Sequence, residues 1–254
     1  MALFHIQFHS EALRMAASLD VIIPQKSSTL IGMETAAEEK CKTLYLLHGL
    51  SDDQTIWQRR TSIERYAAEK NLAVVMPAAG KSWYTDMAHG DAYQTYITKE
   101  VPAYCRSVFR CMSDKREDNF VAGLSMGGYG ALKMALTSPD EFAGVACLSG
   151  ALNVCDNTYL STEEGWSDIF GDIKAIAGSK NDVYTLIKEA AESGKQLPKV
   201  YMWCGLQDFL LEDVRRAKVL FEKYNYDFTY VETEGDHSWF YWDREIQNVI
   251  NLFF

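Results

Sequence analysis

The chain has 254 residues, 48% of them hydrophobic, enough to bury the core of one large domain. Its 25 basic and 35 acidic residues leave a net charge of −10 with no Lys/Arg stripe, which disfavours nucleic acid or an anionic membrane as a partner. The N-terminal Met1-Ala2-Leu3-Phe4-His5-Ile6-Gln7-Phe8 lacks a basic start followed by a long apolar stretch, and no later run reaches transmembrane length, so a cytoplasmic location is expected.

Eight strand-like runs follow in chain order, at residues 3–8, 15–23, 43–47, 73–76, 120–123, 144–148, 200–204 and 228–231. From the third onward they are separated by segments with helical periodicity, at 56–69, 93–108, 127–137, 210–224 and 240–252. Such alternation predicts a largely parallel sheet covered on both faces. The first two runs are close enough in sequence to form an antiparallel edge. Residues 149–199 are long for a crossover and hold Trp166, Phe170 and a helix-like stretch at 182–193, so they read as a lid-like insertion. No linker, repeat or low-complexity tract divides the chain, and a single domain over 1–254 is expected.

Ser125 stands in Gly123-Leu124-Ser125-Met126-Gly127-Gly128, between an apolar strand-like run and a helix-like segment. A sharp strand-to-helix turn needs small residues two before and two after the serine, which then projects its hydroxyl above the sheet edge. Glycines 123 and 127 meet that demand and mark Ser125 as a candidate nucleophile. A serine hydroxyl needs a base to take its proton and an acid to orient that base. His237 follows the last strand-like run, in Glu234-Gly235-Asp236-His237-Ser238-Trp239, and so lies where open parallel sheets gather their functional groups. His5 and His9 belong to the edge strand, and His89 to a loop without an assigned place.

The acid is expected between Ser125 and His237, on the loop after the penultimate strand. Asp208 lies there, in Gly205-Leu206-Gln207-Asp208-Phe209. Asp213 is a turn inside the next helix, Asp227 precedes a strand at the opposite edge, and Asp236 adjoins His237, where neighbouring side chains of an extended loop diverge. The chain order Ser, Asp, His is that of the α/β-hydrolase fold. The third strand runs into His48-Gly49-Leu50, where the backbone can present an N–H to the serine. Leu50 is favoured over Gly49 as that donor, and Met126 offers a second N–H, so that together they hold an oxyanion. Six cysteines, at 41, 105, 111, 147, 155 and 204, contain no C-x-x-C pair and are expected as reduced thiols. There is no H-E-x-x-H, no Walker-type loop and no G-x-G-x-x-G, and the five histidines are not spaced as a metal cluster, so no cofactor and no metal are expected.

Several separated motifs together resemble the α/β-hydrolase esterases of the esterase D type, most closely the bacterial tributyrin esterase or acetylesterase branch. They are Phe8-His9-Ser10-Glu11-Ala12-Leu13, His48-Gly49-Leu50-Ser51-Asp52-Asp53 with Trp57, and Lys81-Ser82-Trp83-Tyr84-Thr85-Asp86. Gly123 to Gly128, Asp208-Phe209-Leu210, and Gly235 to Trp239 with Tyr241-Trp242 complete the set, which spans nearly the whole chain. The resemblance implies a cytoplasmic serine esterase acting on short acyl groups of a small-molecule ester, often assembled as a homo-oligomer. Trp83 and Trp239, in loops near the expected site, are candidates to line the substrate pocket. A thioesterase like S-formylglutathione hydrolase would use the same residues, as would a carbohydrate esterase removing acetyl or feruloyl groups. A non-enzymatic binding protein on this scaffold would have lost a member of the Ser-Asp-His set, and none is missing.

Overall fold

Eight strands form one sheet in the computed structural model, which describes residues 1–25, 27, 29, 40–156 and 165–254. They are β1 (Ala2–Ser10), β2 (Met15–Ile23), β3 (Lys42–Leu47), β4 (Leu72–Pro77), β5 (Asn119–Leu124), β6 (Gly144–Leu148), β7 (Lys199–Gly205) and β8 (Phe228–Thr233), in the spatial order 1-2-4-3-5-6-7-8. Each of the eight expected runs is a strand. β1 and β2 form an antiparallel hairpin and β2 joins β4 antiparallel, whereas β4, β3, β5, β6, β7 and β8 are parallel. The central strands β4, β5 and β6 are buried at every position, which accounts for their unbroken runs of Val, Ala, Leu and Met.

The sheet separates two apolar layers. One contains residues of α4 (Val101–Val108), α5 (Met126–Thr137), α7 (Val183–Glu192) and α8 (Leu211–Lys223). The other contains residues of α1 (Ile56–Arg60), α2 (Ile63–Ala68) and α9 (Trp239–Phe253). α7, from the segment expected as a lid-like insertion, packs on α5, and α6 (Trp166–Phe170) precedes it. Residues 157–164 of that segment lie outside the described residues.

Two expected helices differ in detail. The 56–69 stretch breaks at Thr61, which is extended, and the redirected chain lets the Ser62 N–H (3.3 Å) and the Tyr66 hydroxyl (2.9 Å) both reach Asp243 of α9. The 93–108 stretch is helical throughout, but between α3 (Tyr93–Thr95) and α4 it widens into a π turn at Tyr96–Glu100. That bulge delivers the Glu100 carboxylate to the β1–β2 turn, where it accepts the Glu11 N–H at 2.7 Å. Among the described residues, no helix is long and apolar enough to cross a membrane.

The crevice of such a sheet opens where consecutive connections depart to opposite sides. Here β3 connects to β4 on one side and has β5 on the other, with Leu47 opposite Gly123, so the chain leaves both strands side by side.

Candidate active site

Ser125 follows β5 directly, with φ 53° and ψ −119°. A non-glycine residue in this left-handed region costs on the order of 1–3 kcal/mol, so the surroundings must hold it. They do so through three backbone bonds: the Ser125 N–H donates to Leu148 O (2.9 Å), and its carbonyl accepts from Tyr129 (3.1 Å) and Ala151 (3.2 Å). Side chains on the flanking glycines would collide with backbone. A Cβ on Gly123 would stand 2.2 Å from Gly127 O, and one on Gly127 would stand 2.5 Å from Leu47 O. The small residues expected around Ser125 are therefore a steric necessity.

The ends of β7 and β8 approach just as closely. A Cβ on Gly205 would lie 2.1 Å from Gly235 O, and Gln207 bonds Gly235 twice, its N–H donating to the carbonyl (2.9 Å) and its Oε1 accepting the N–H (2.8 Å). These ties bring Asp208 and His237 together, and His237 Nδ1 donates to Asp208 Oδ2 at 2.9 Å and Oδ1 at 3.1 Å. Burial pushes the Asp208 carboxyl up, but the His237 hydrogen bond and charge, the Leu210 N–H (2.9 Å) and the Ser149 hydroxyl outweigh it, and the net direction is down. Of the acids weighed from the sequence, Asp208 is the one bonded to His237. The imidazole is held between the rings of Phe209 and Trp242, with centroids at 4.7 and 4.8 Å.

The loop after β3 is fastened from several sides. His48 is buried and uses both ring nitrogens, Nδ1 donating to Gly49 O (2.7 Å) and Nε2 accepting from the Ala79 N–H (2.9 Å). Burial pushes its pKa down, consistent with the neutral ring that this bonding requires. Tyr84 donates to His48 O at 2.8 Å, and Trp57 Nε1 donates to Leu47 O at 3.0 Å. Leu50 comes next in this loop, half-buried. Met126 is the first residue of α5, where an N–H has no intrahelical carbonyl to bond.

Ser125, His237, Leu50, Trp83 and Trp239 line one cleft of about 410 Å³. Asp208 supports His237 from behind, and Met126 is buried beside Ser125. Trp83 is also a packing residue, edge-on to Tyr129 (5.6 Å) and Trp166 (5.2 Å). The sequence reading missed Ser149, which follows β6, is fully buried, accepts from Trp242 Nε1 at 3.1 Å and lies close enough to Asp208 to help hold its carboxyl ionised. Its position just past a strand end, level with the other site loops, is the signal that could have found it.

The family model of Esterase, described as "Putative esterase", matches residues 10–251. The chain belongs to the Esterase family. This esterase is 32% identical over 258 residues to an acetyl esterase of Caldicellulosiruptor saccharolyticus, covering 98% of this chain and 96% of the relative. Among solved structures it resembles the fluorophosphonate-binding serine hydrolase FphF of Staphylococcus aureus, with 39% identity, TM-score 0.89 and coverage of 99% and 98%. It is similarly close to an S-formylglutathione hydrolase, FrmB, of the same organism, with 38% identity, TM-score 0.87 and coverage of 100% and 99%. The fold is that of the α/β-hydrolases, and the esterase is a carboxylic ester hydrolase of the serine type.

Proposed function

We propose that this esterase hydrolyses esters of short acyl groups, acetyl to butyryl, through an acyl-enzyme on Ser125. The observation that carries the reading is that His237, bonded to Asp208, shares a cleft with a serine held at φ 53°. Because His237 Nδ1 is committed to Asp208, Nε2 is the nitrogen left to take a proton. Ser125 Oγ attacks the ester carbonyl carbon as Nε2 takes its proton, and Asp208 stabilises the resulting imidazolium. The N–H groups of Leu50 and Met126 hold the oxyanion, the imidazolium protonates the departing alcohol, and water repeats the attack on the acyl-enzyme.

A small cleft walled by Trp83 and Trp239 supports short acyl groups, as does the likeness to an acetyl esterase. Cytoplasmic action is part of the reading, supported by six cysteines standing as free thiols. The test is hydrolysis of p-nitrophenyl esters from acetate to octanoate by wild type and Ser125→Ala. Wild type is expected to favour the shortest chains, and the variant to lose about 10³-fold or more. Retained activity in Ser125→Ala would remove the nucleophile, and a preference for octanoate would remove the chain-length assignment.

A thioesterase reading has its own support in the 38% identity to FrmB, named as an S-formylglutathione hydrolase. Faster turnover of S-formylglutathione than of phenyl acetate would favour it.

A further inference from the structure

Among the described residues lining the cleft, Asp52 supplies the one carboxylate, and no Lys or Arg is present. The Asp52 carboxyl is half-buried beside the Gly49 backbone, whose polar group pulls its pKa down. A methyl group placed on Gly49 would meet Leu124 Cδ1 at 2.7 Å, with Asp52 Oδ2 at 3.4 Å and Ser125 Cβ at 3.8 Å, so the carboxylate and the serine both lie close to Gly49, with the Leu124 side chain among them. The adjacent Asp53 is occupied elsewhere, its carboxylate taking the Thr55 N–H (2.9 Å) and hydroxyl (2.6 Å) at the start of α1. Asp52 has no cation within 4.0 Å among the described residues, and the exposed Arg59 and Arg60 act on it only at longer range. Burial and Asp53 together push its pKa up, the direction expected of a carboxylate without a cation against it.

We infer that Asp52 makes the cleft selective for uncharged esters, by repelling substrates that carry a negative charge close to the reacting carbonyl. The inference rests on the Ser125 reading above. With Asp52 half-buried at the cleft, repulsion between like charges is screened less than in bulk water, and discrimination of about tenfold or more follows. The net charge of −10 over the whole chain acts in the same direction on approach. A glutathione thioester, with its net negative charge, belongs to the disfavoured class. A neutral ester bearing a hydroxyl near the carbonyl finds in Asp52 an acceptor for it.

The experiment compares matched esters: phenyl acetate with 4-acetoxybenzoate, and 4-nitrophenyl butyrate with 4-nitrophenyl hemisuccinate, placing the charge on the alcohol and acyl sides respectively. In Asp52→Asn, which keeps the shape of the side chain and removes its charge, the anionic-to-neutral ratio of kcat/KM is expected to rise about tenfold for at least one pair. Asp52→Glu, which keeps the charge, should stay near the wild-type ratio. Raising potassium chloride from about 0.05 to about 0.5 M should lift the wild-type ratio severalfold by screening. Ratios that move less than twofold in Asp52→Asn, for both pairs, overturn the inference. If Asp52→Asn does not fold, the wild-type salt series decides alone, and a flat series overturns it. Absence of wild-type hydrolysis of the neutral esters would instead defeat the Ser125 reading.

Discussion

Two histidines leave the sheet at the same end, His48 after β3 and His237 after β8, and their surroundings make them different groups. His48 is buried with both ring nitrogens spent, one on Gly49 O and one on the Ala79 N–H. His237 spends Nδ1 on Asp208 and keeps a side chain 20% exposed at the cleft. Proton transfer needs a free nitrogen within reach of substrate, so residue type alone does not define a base. The His48 ring is bound into the backbone and shapes the loop that carries Leu50, whereas the His237 ring keeps a nitrogen for chemistry.

The largest expected effect is that of His237→Ala, a loss of about 10³-fold or more in kcat on p-nitrophenyl acetate. Its unfolding midpoint should fall no further than that of a His48 variant, because the buried Asp208 carboxylate loses the imidazole but keeps the Leu210 N–H, and no backbone bond is lost. An equal loss of kcat in a His48 variant would break the comparison.

His48→Asn should do the reverse. Leaving a buried carbonyl or N–H unpaired costs on the order of 1–3 kcal/mol, measurable as a lower denaturant midpoint, with kcat falling roughly tenfold as the Leu50 loop loosens. A pH dependence sharpens the contrast. His48 is held neutral in the fold by burial, whereas in the unfolded chain it titrates near 6.5. Below that pH the unfolded chain binds more protons, so wild-type stability falls on acidification and recovers above it. Unfolding measured from pH 5 to 8 should show a shallower slope for His48→Asn than for wild type.

The smallest effect expected is that of Ser149→Ala, which removes an acceptor from Trp242 Nε1 and a hydroxyl that helps hold the Asp208 carboxyl ionised. Activity should fall severalfold, within about tenfold, with kcat affected more than KM because the change acts through the orientation of His237. A drop as large as that of His237→Ala would mean that Ser149 touches the reacting atoms.

Much of this was legible in the chain because it is local or ordinal. The Gly123 to Gly128 segment states its own steric demand, and that demand appears in the structure as glycines whose Cβ positions are filled by neighbouring backbone. That Asp208 and His237 meet was legible from their places after the last two parallel strands, since strand order fixes which loops come together. The stretch expected as one helix at 56–69 is two, because its break at Thr61 goes with contacts to Asp243, a residue far along the chain.

By itself, then, the amino-acid order determined eight strands, the layers of helix over them, and the three loops that carry serine, acid and histidine. Only the tertiary structure decided which His keeps an unspent ring nitrogen, that Ser149 and Trp242 join beside Asp208, and that Asp52 lines the cleft with Ser125 and has no cation against it among the described residues. The reason is physical. Periodicity and turn chemistry act between residues close in sequence, whereas hydrogen-bond saturation, burial and charge compensation are set by neighbours that only the packed sheet brings together.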